Sequence, residues 1–375
     1  MACILAPISR IKTASLAAML SVIALIPVMA AMAGPSWAET AGQDDKAVGI
    51  RDTVTAMIAE NGFSGTVLIA DAGKTLLQAG FGPADRTWDS PNRPDTKFMI
   101  ASMTKTFTAA LVLQQVDEKR LSLDDTIADH LPSYGAPYRD EVTIRQLLTH
   151  RSGIPHYIDL PGWFDGRFRA PISISAFLDH IAALPPAFEP GTGYRYSNAN
   201  YYLLGLILEK LTGQPYETLL ADRILKPAGM TETGSYRAGA IVKKLSRNYV
   251  REEDGTLSQA RYINPDLFHA TASLYSTVGD LYRWHKALMD ATLLSDAART
   301  VMFDRTNPMG WAHVTVPADG DAPAFDFVTY NGELNGYTSM ITHIPARDVL
   351  IILLNNNNAG FRTLSAMTLK IAMEL

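Results

Sequence analysis

Residues 325–354 read FDFVTYNGELNGYTSMITHIPARDVLIILL. Three segments in this stretch, Phe325–Tyr330, Tyr337–His343 and Val349–Leu354, alternate or run apolar, which predicts three strands. A closing helix is expected over Phe361–Glu374. Near the other end, Gly65–Ile69 and Thr75–Gly80 read as two more strands around an Asp71-Ala72-Gly73 turn, behind an amphipathic helix from Ala47 to Asn61 that stops at Gly62. Between the two strand regions the pattern changes. A polar, Pro-rich stretch runs from Pro83 to Thr96. A long helical pattern then covers Phe98–Glu118, with apolar Phe107, Ala110, Leu111 and Leu113. Further helices are predicted at Val142–Leu148, Ile174–Leu184, Asn200–Leu211, Tyr216–Ile224 and Thr277–Met289.

Strands at both ends around a helical middle define the fold class as α/β, more closely α+β. Both ends join one antiparallel sheet flanked by helices, and the middle is inserted as a mostly helical lobe. The expected division is a sheet lobe of residues 48–96 and 310–375 and a helical lobe of about 97–309. A cleft between them suits a small molecule.

The 375 residues are 47% hydrophobic and 19% charged, a globular composition. The net charge of −5, without a basic run, argues against nucleic acid as a partner. A single cysteine, Cys3, excludes an internal disulfide, a zinc knuckle and an iron–sulfur cluster. No repeat of solenoid or propeller length is visible.

Residues 1–38 read as a secretory signal. Arg10 and Lys12 precede an apolar stretch from Ala14 to about Met32, broken by Pro27, and Ser36-Trp37-Ala38 supplies a small-x-small site. Cleavage after Ala38 is expected, with a secreted or periplasmic product lacking cysteine and any stable membrane span. An uncleaved anchor is the rival reading.

Three groups of residues can carry chemistry. Ser102-Met103-Thr104-Lys105 places a hydroxyl and an amine on one helix face. A serine becomes a nucleophile when a base takes its proton, and a lysine serves as that base when burial or nearby cations lower its pKa. The alternative is a surface lysine one turn after an N-terminal serine. Tyr196-Ser197-Asn198 enters the next helix and offers a hydroxyl and an amide for proton relay and substrate contact, or else a cap at Asn198 or Asn200. Tyr330-Asn331-Gly332-Glu333 ends a predicted strand. Its glycine permits close approach of a ligand backbone, or else Gly332, Asn335 and Gly336 form a hairpin turn.

Taken together and in this order, the three groups resemble the serine β-lactamase and penicillin-binding-protein superfamily. The branch is that of class C β-lactamases, D-alanyl-D-alanine carboxypeptidases, D-aminopeptidases and family VIII esterases. Gly62–Ile69, Phe98–Lys105, Leu147–Pro155, Pro190–Asn200, Leu274–Thr277 and Asn331–Tyr337 all carry the likeness. The resemblance implies Ser102 as the acylated nucleophile, Lys105 as its proton partner and Tyr196 as a second base or acid. It implies Asn198, Tyr330, Asn331, Gly332 and Glu333 as substrate-binding positions, with the backbone N–H groups of Ser102 and Glu333 forming the oxyanion hole. The implied mechanism uses no metal and no cofactor. The implied substrate is a small molecule or a peptide, with peptidoglycan-derived ones included.

Position 330 departs from the pattern, which usually has Lys or His there. A neutral tyrosine hydrogen-bonds but brings no charge to a substrate carboxylate, and Glu333 adds a negative charge nearby. The order of expected activities is therefore carboxylesterase, then D-Ala-type peptidase, then β-lactamase. A penicillin-binding-like protein of weak or no activity that binds peptidoglycan fragments or peptides is the alternative, and acyl transfer to an amine is a third possibility. A second departure is Ala270-Thr271-Ala272-Ser273, where relatives often carry glycines. His150 and His156, six residues apart without a nearby acidic ligand, make a weak metal site, and the resemblance implies a buried, hydrogen-bonded, structural His150. Tyr157, Trp163, Phe164 and Phe168 line an acyl pocket or pack the helical lobe, and Asn355–Asn358 ends a strand in a turn.

Overall fold

The computed structural model describes residues 45–159, 173–317 and 324–375. The signal segment 1–38 and the aromatic residues Trp163, Phe164 and Phe168 lie outside the described residues.

The predicted strands form one six-stranded sheet. In chain order they are β1 (Gly65–Asp71), β2 (Lys74–Phe81), β3 (Ala312–Val316), β4 (Phe325–Leu334), β5 (Tyr337–Ile344) and β6 (Val349–Asn355). The spatial order is β3-β4-β5-β6-β1-β2, every pair antiparallel. The β1–β2 turn is Ala72-Gly73, with φ of +47° and +75°. Both turn residues are left-handed, which matches the twist of a two-residue hairpin. Asn335-Gly336 does the same between β4 and β5, with φ of +37° and +96°. Gly332 lies within β4 and is no part of that turn. Edge strand β3, Ala-His-Val-Thr-Val, alternates apolar and polar residues, but it is only five residues long, mostly exposed, and pairs with β4 alone.

Alternation sorts the sheet into two faces. Val67 and Ile69 of β1 and Ile351 and Leu353 of β6 meet Ile50, Val54 and Met57 of α1 (Asp45–Asn61). The same layer holds Leu364, Met367 and Ile371 of the C-terminal helix (Gly360–Glu374). Leu68, Leu350, Ile352 and Leu354 face the other way, into the larger core of the helical middle. Both faces of β6 are covered, which is why it reads as an uninterrupted apolar run.

The helix expected over Phe98–Glu118 is shorter. Phe98–Met99 is a short strand on Leu274–Ser276, Ala101–Met103 is a 3-10 turn, and α2 covers Thr104–Asp117. The Ile100 N–H donates to the Leu274 carbonyl at 2.9 Å, and Ala101 has φ +50°, a left-handed value that a helix cannot contain. Apolar character alone could not separate this strand from the helix that follows. From Thr104 to Gln115 every residue of α2 is buried. Phe107 stacks on Trp284 with centroids 4.0 Å apart. α3 (Asn198–Thr212) packs beside α2.

The run Asn355–Asn358 ends β6 in a turn. Asn355 Oδ1 accepts from the Asn357 and Ala359 N–H groups at 3.0 and 3.1 Å. Asn356 Nδ2 donates to the Arg247 carbonyl at 2.8 Å, tying the turn to the middle of the chain.

Candidate active site

Ser102 sits in the 3-10 turn that opens α2, next to the left-handed Ala101. Two side chains reach its hydroxyl. Tyr196 Oη lies 2.8 Å from Ser102 Oγ, and Lys105 Nζ lies 3.1 Å from it. Lys105 Nζ also donates to the Thr271 carbonyl at 2.9 Å. The i, i+3 spacing seen in sequence thus becomes a direct contact. Lys105 is 0% exposed, and burial holds its pKa well below that of an ordinary lysine. Thr271, in the segment that departs from the glycines of relatives, supplies the carbonyl that fixes the amine. Sequence gave no signal for this, since the contact uses backbone.

Tyr196 is held by the start of α3. Its hydroxyl donates to Asn198 Oδ1 at 3.3 Å, and it shares a side-chain hydrogen bond with Tyr330. Burial, partly offset by the hydrogen bonds from Ser102 and Tyr330, pushes its phenol up to about 12. Tyr196 is therefore a protonated donor at neutral pH. The cap of α3 is Ser197, whose Oγ accepts from the Ala199 N–H at 3.2 Å. The expected caps Asn198 and Asn200 have other duties. Asn198 receives the Tyr196 hydroxyl. Asn200 accepts from Ser152 Oγ at 2.7 Å and approaches His150 Nδ1 at 3.2 Å.

The two histidines frame Tyr196. His150 Nδ1 accepts the Ser197 N–H at 3.2 Å, and His156 Nδ1 accepts the Asn198 N–H at 3.3 Å. Their rings lie 4.5 and 5.6 Å from the Tyr196 ring. Burial, then the neighbouring Lys105 and His156, holds His150 well below the usual imidazole range. Both residues accept through Nδ1 and hold the loop, the structural role expected of His150. Tyr157 is fully buried, edge-on to Phe177 at 4.9 Å, and packs the core.

Strand β4 brings the third group alongside. A Cβ built on Gly332 would lie 2.3 Å from the Ile100 carbonyl oxygen and 2.8 Å from the Ser102 nitrogen. Only a glycine lets β4 approach this turn so closely. In a two-residue hairpin, bonded and non-bonded pairs alternate outward from the turn. Leu334–Tyr337 and Gly332–Ser339 are the bonded pairs, so the Glu333 N–H points away from β5. Strand β3 reaches only to Thr329 and leaves that edge unpaired. The Glu333 N–H and the Ser102 N–H at the start of the 3-10 turn are thus available as a donor pair.

The Glu333 carboxylate turns elsewhere. Its Oε1 accepts the Phe361 N–H at the start of the C-terminal helix, where a negative charge meets the positive end of the helix dipole. The carboxylate is thus engaged at the C-terminal helix. Glu333→Ala is expected to destabilise the protein by about 1 kcal/mol, and Glu333→Gln by less. Thermal unfolding of the two variants checks this, and equal melting temperatures would refute the cap.

A cavity of about 500 Å3 opens over Ser102. Tyr196, Asn198, Tyr330, Asn331 and Glu333 line it. So do Arg151, Tyr194, Thr306, Asn307 and Trp311, which sequence reasoning did not select. The 306–312 wall carries none of the three motifs and reaches the site by packing on α2, where a Cβ built on Gly310 would lie 3.3 Å from the Lys105 carbonyl oxygen.

Residues 50–372 match the Beta-lactamase family, and the chain belongs to that family of serine hydrolases. It is 32% identical over 320 residues to penicillin-binding protein 4* of Bacillus subtilis, covering 78% of this chain and 68% of that protein. It is 28% identical over 318 residues to the putative penicillin-binding protein PbpX of the same species, covering 84% and 76%. The crystal structure of a penicillin-binding protein from Bacillus halodurans superposes with a TM-score of 0.74 at 25% identity, covering 84% of this chain and 98% of that one. A class C β-lactamase structure at 21% identity and TM-score 0.73 shares the fold, covering 88% and 99%.

Proposed function

We propose that the protein is an exported acyl hydrolase that cleaves an ester or amide through an acyl-enzyme on Ser102. The observation that carries this reading is the Ser102 hydroxyl within 3.1 Å of a fully buried Lys105 amine and 2.8 Å of Tyr196 Oη. Lys105, neutral through burial, takes the Ser102 proton as Oγ bonds to the acyl carbon. The Ser102 and Glu333 N–H groups stabilise the oxyanion. Tyr196, protonated, passes a proton to the departing oxygen or nitrogen and is refilled from Lys105. Water then attacks the acyl carbon, gives its proton back through the same groups and frees Ser102.

Among the finer activities, carboxylesterase and D-Ala-type peptidase are favoured over β-lactamase, because Tyr330 alone brings no charge to a substrate carboxylate. Export rests on the Arg10, Lys12 and Ala14–Met32 pattern and the Ser36-Trp37-Ala38 site. The test is hydrolysis of a short-chain nitrophenyl ester by the protein and by Ser102→Ala. Turnover that vanishes in the variant supports the acyl-enzyme. Turnover surviving in Ser102→Ala would overturn it.

A further inference from the structure

The charges around the cavity do not match the argument drawn from position 330 alone. Lys105 is committed to Ser102 and to the Thr271 carbonyl. His150 is held neutral, and His156 uses Nδ1 to accept a backbone N–H. The Glu333 carboxylate is engaged by the Phe361 N–H. Arg151 remains. It lines the same cavity as Ser102, and among the described residues its guanidinium has no ion pair and no hydrogen bond. Other arginines nearby behave differently. Arg145 pairs with Asp124 at 3.3 Å, and Arg139 donates to the Tyr134 carbonyl at 3.1 Å.

The Arg151 backbone is fixed from both sides. Its N–H donates to the Gln146 carbonyl and its carbonyl accepts from the Gly191 N–H, each at 2.8 Å. It follows His150, whose φ of +55° marks a constrained turn. The side chain therefore starts from a rigid point. A guanidinium stays charged at every accessible pH, and its fork matches the two oxygens of a carboxylate. In a cavity partly shielded from water, that attraction exceeds its value on an open surface.

From a cavity over Ser102 that both Arg151 and the uncharged Tyr330 line, and an Arg151 guanidinium with no partner among the described residues, we infer that Arg151 holds a carboxylate of the substrate. The site then selects acyl compounds that carry a negative charge over neutral ones of the same length. The selectivity for turnover rests on the acyl-hydrolase reading; the binding does not.

The test uses matched pairs. Mono-nitrophenyl glutarate against nitrophenyl pentanoate places the charge on the acyl side. Carboxyphenyl butanoate against phenyl butanoate places it on the leaving side. The protein is expected to favour the charged member of at least one pair by about tenfold in kcat/KM. Arg151→Gln should remove that preference, Arg151→Lys should keep part of it, and high salt should shrink it. A preference that is absent in both pairs, or that survives Arg151→Gln, overturns the proposal. A second arm titrates the same compounds calorimetrically into Ser102→Ala and into Ser102→Ala/Arg151→Gln. Tighter binding of a charged member that the arginine change abolishes supports the site even without turnover, and that result would sink the hydrolase reading alone. Hydrolysis with no charge preference in either arm sinks the Arg151 site alone.

Discussion

Ser102→Ala and Lys105→Ala are each expected to lower kcat for a nitrophenyl ester by roughly 10⁴-fold, with the double variant falling little further. The two groups act on one proton. Without the amine, the Ser102 hydroxyl keeps its hydrogen, because Tyr196 is itself a protonated donor with a phenol pushed up to about 12. Without the hydroxyl, the amine has nothing to deprotonate. Lys105→Arg should be as inactive as alanine, since a guanidinium does not lose its proton at accessible pH. The pH dependence carries a sign. The lysine is competent when neutral, so kcat/KM should rise as pH climbs through its folded-state pKa. That limb lies well below 10.5 because burial disfavours the ammonium. Kinetics of the three single variants and the pH profile check this. Near-native turnover in Lys105→Ala would remove the amine from the mechanism.

Gly332→Ala carries the second large effect. The added methyl would sit 2.3 Å from the Ile100 carbonyl oxygen and 2.8 Å from Ser339 Oγ. Neither neighbour is free to retreat. The Ile100 N–H is bonded to the Leu274 carbonyl at 2.9 Å, and its own carbonyl accepts from Ser339 Oγ at 2.7 Å. The clash must separate β4 from the turn that carries Ser102 and pull the two oxyanion donors apart. A misplaced donor of this kind costs roughly 10²-fold in kcat, and overpacking costs about 1–3 kcal/mol of stability. Steady-state kinetics and thermal unfolding of Gly332→Ala measure both. A kcat within about threefold of the parent would show that the turn tolerates displacement.

The sheet was legible because its chemistry is local. Runs such as Val349–Leu354 and turns such as Asn335-Gly336 announce themselves without knowledge of their partners. The nucleophile and amine were legible for the same reason, since three residues apart on one helical turn is a local fact. What escaped depends on distant contacts. Ala101 has an ordinary helix-forming side chain, and its left-handed backbone follows a residue whose N–H is bonded to Leu274, far away in sequence. Strand β3 is short and mostly exposed, and it is held by pairing with β4. The direction of the Glu333 side chain is set by a helix that begins at Gly360. Arg151 reads as one more loop arginine until the fold places it on the cavity wall beside Ser102. The roles of His150 and His156 likewise appear only when the Ser197 and Asn198 N–H groups arrive beside them.

The pairing of β1 with β6 governs how the chain reaches its native state. Asn355 Nδ2 donates to the Ser64 carbonyl across 291 residues of sequence, and β1 lies between β6 and β2 in the sheet. The first hairpin therefore cannot bury its inner edge until the last strand has been synthesised. Ordering so long an intervening chain costs entropy before the contact repays it, which places this sheet among slow, late-closing topologies. Until β6 arrives the β1 edge presents Val67, Leu68 and Ile69 to any other strand within reach, so the chain is exposed to aggregation for as long as that edge is open.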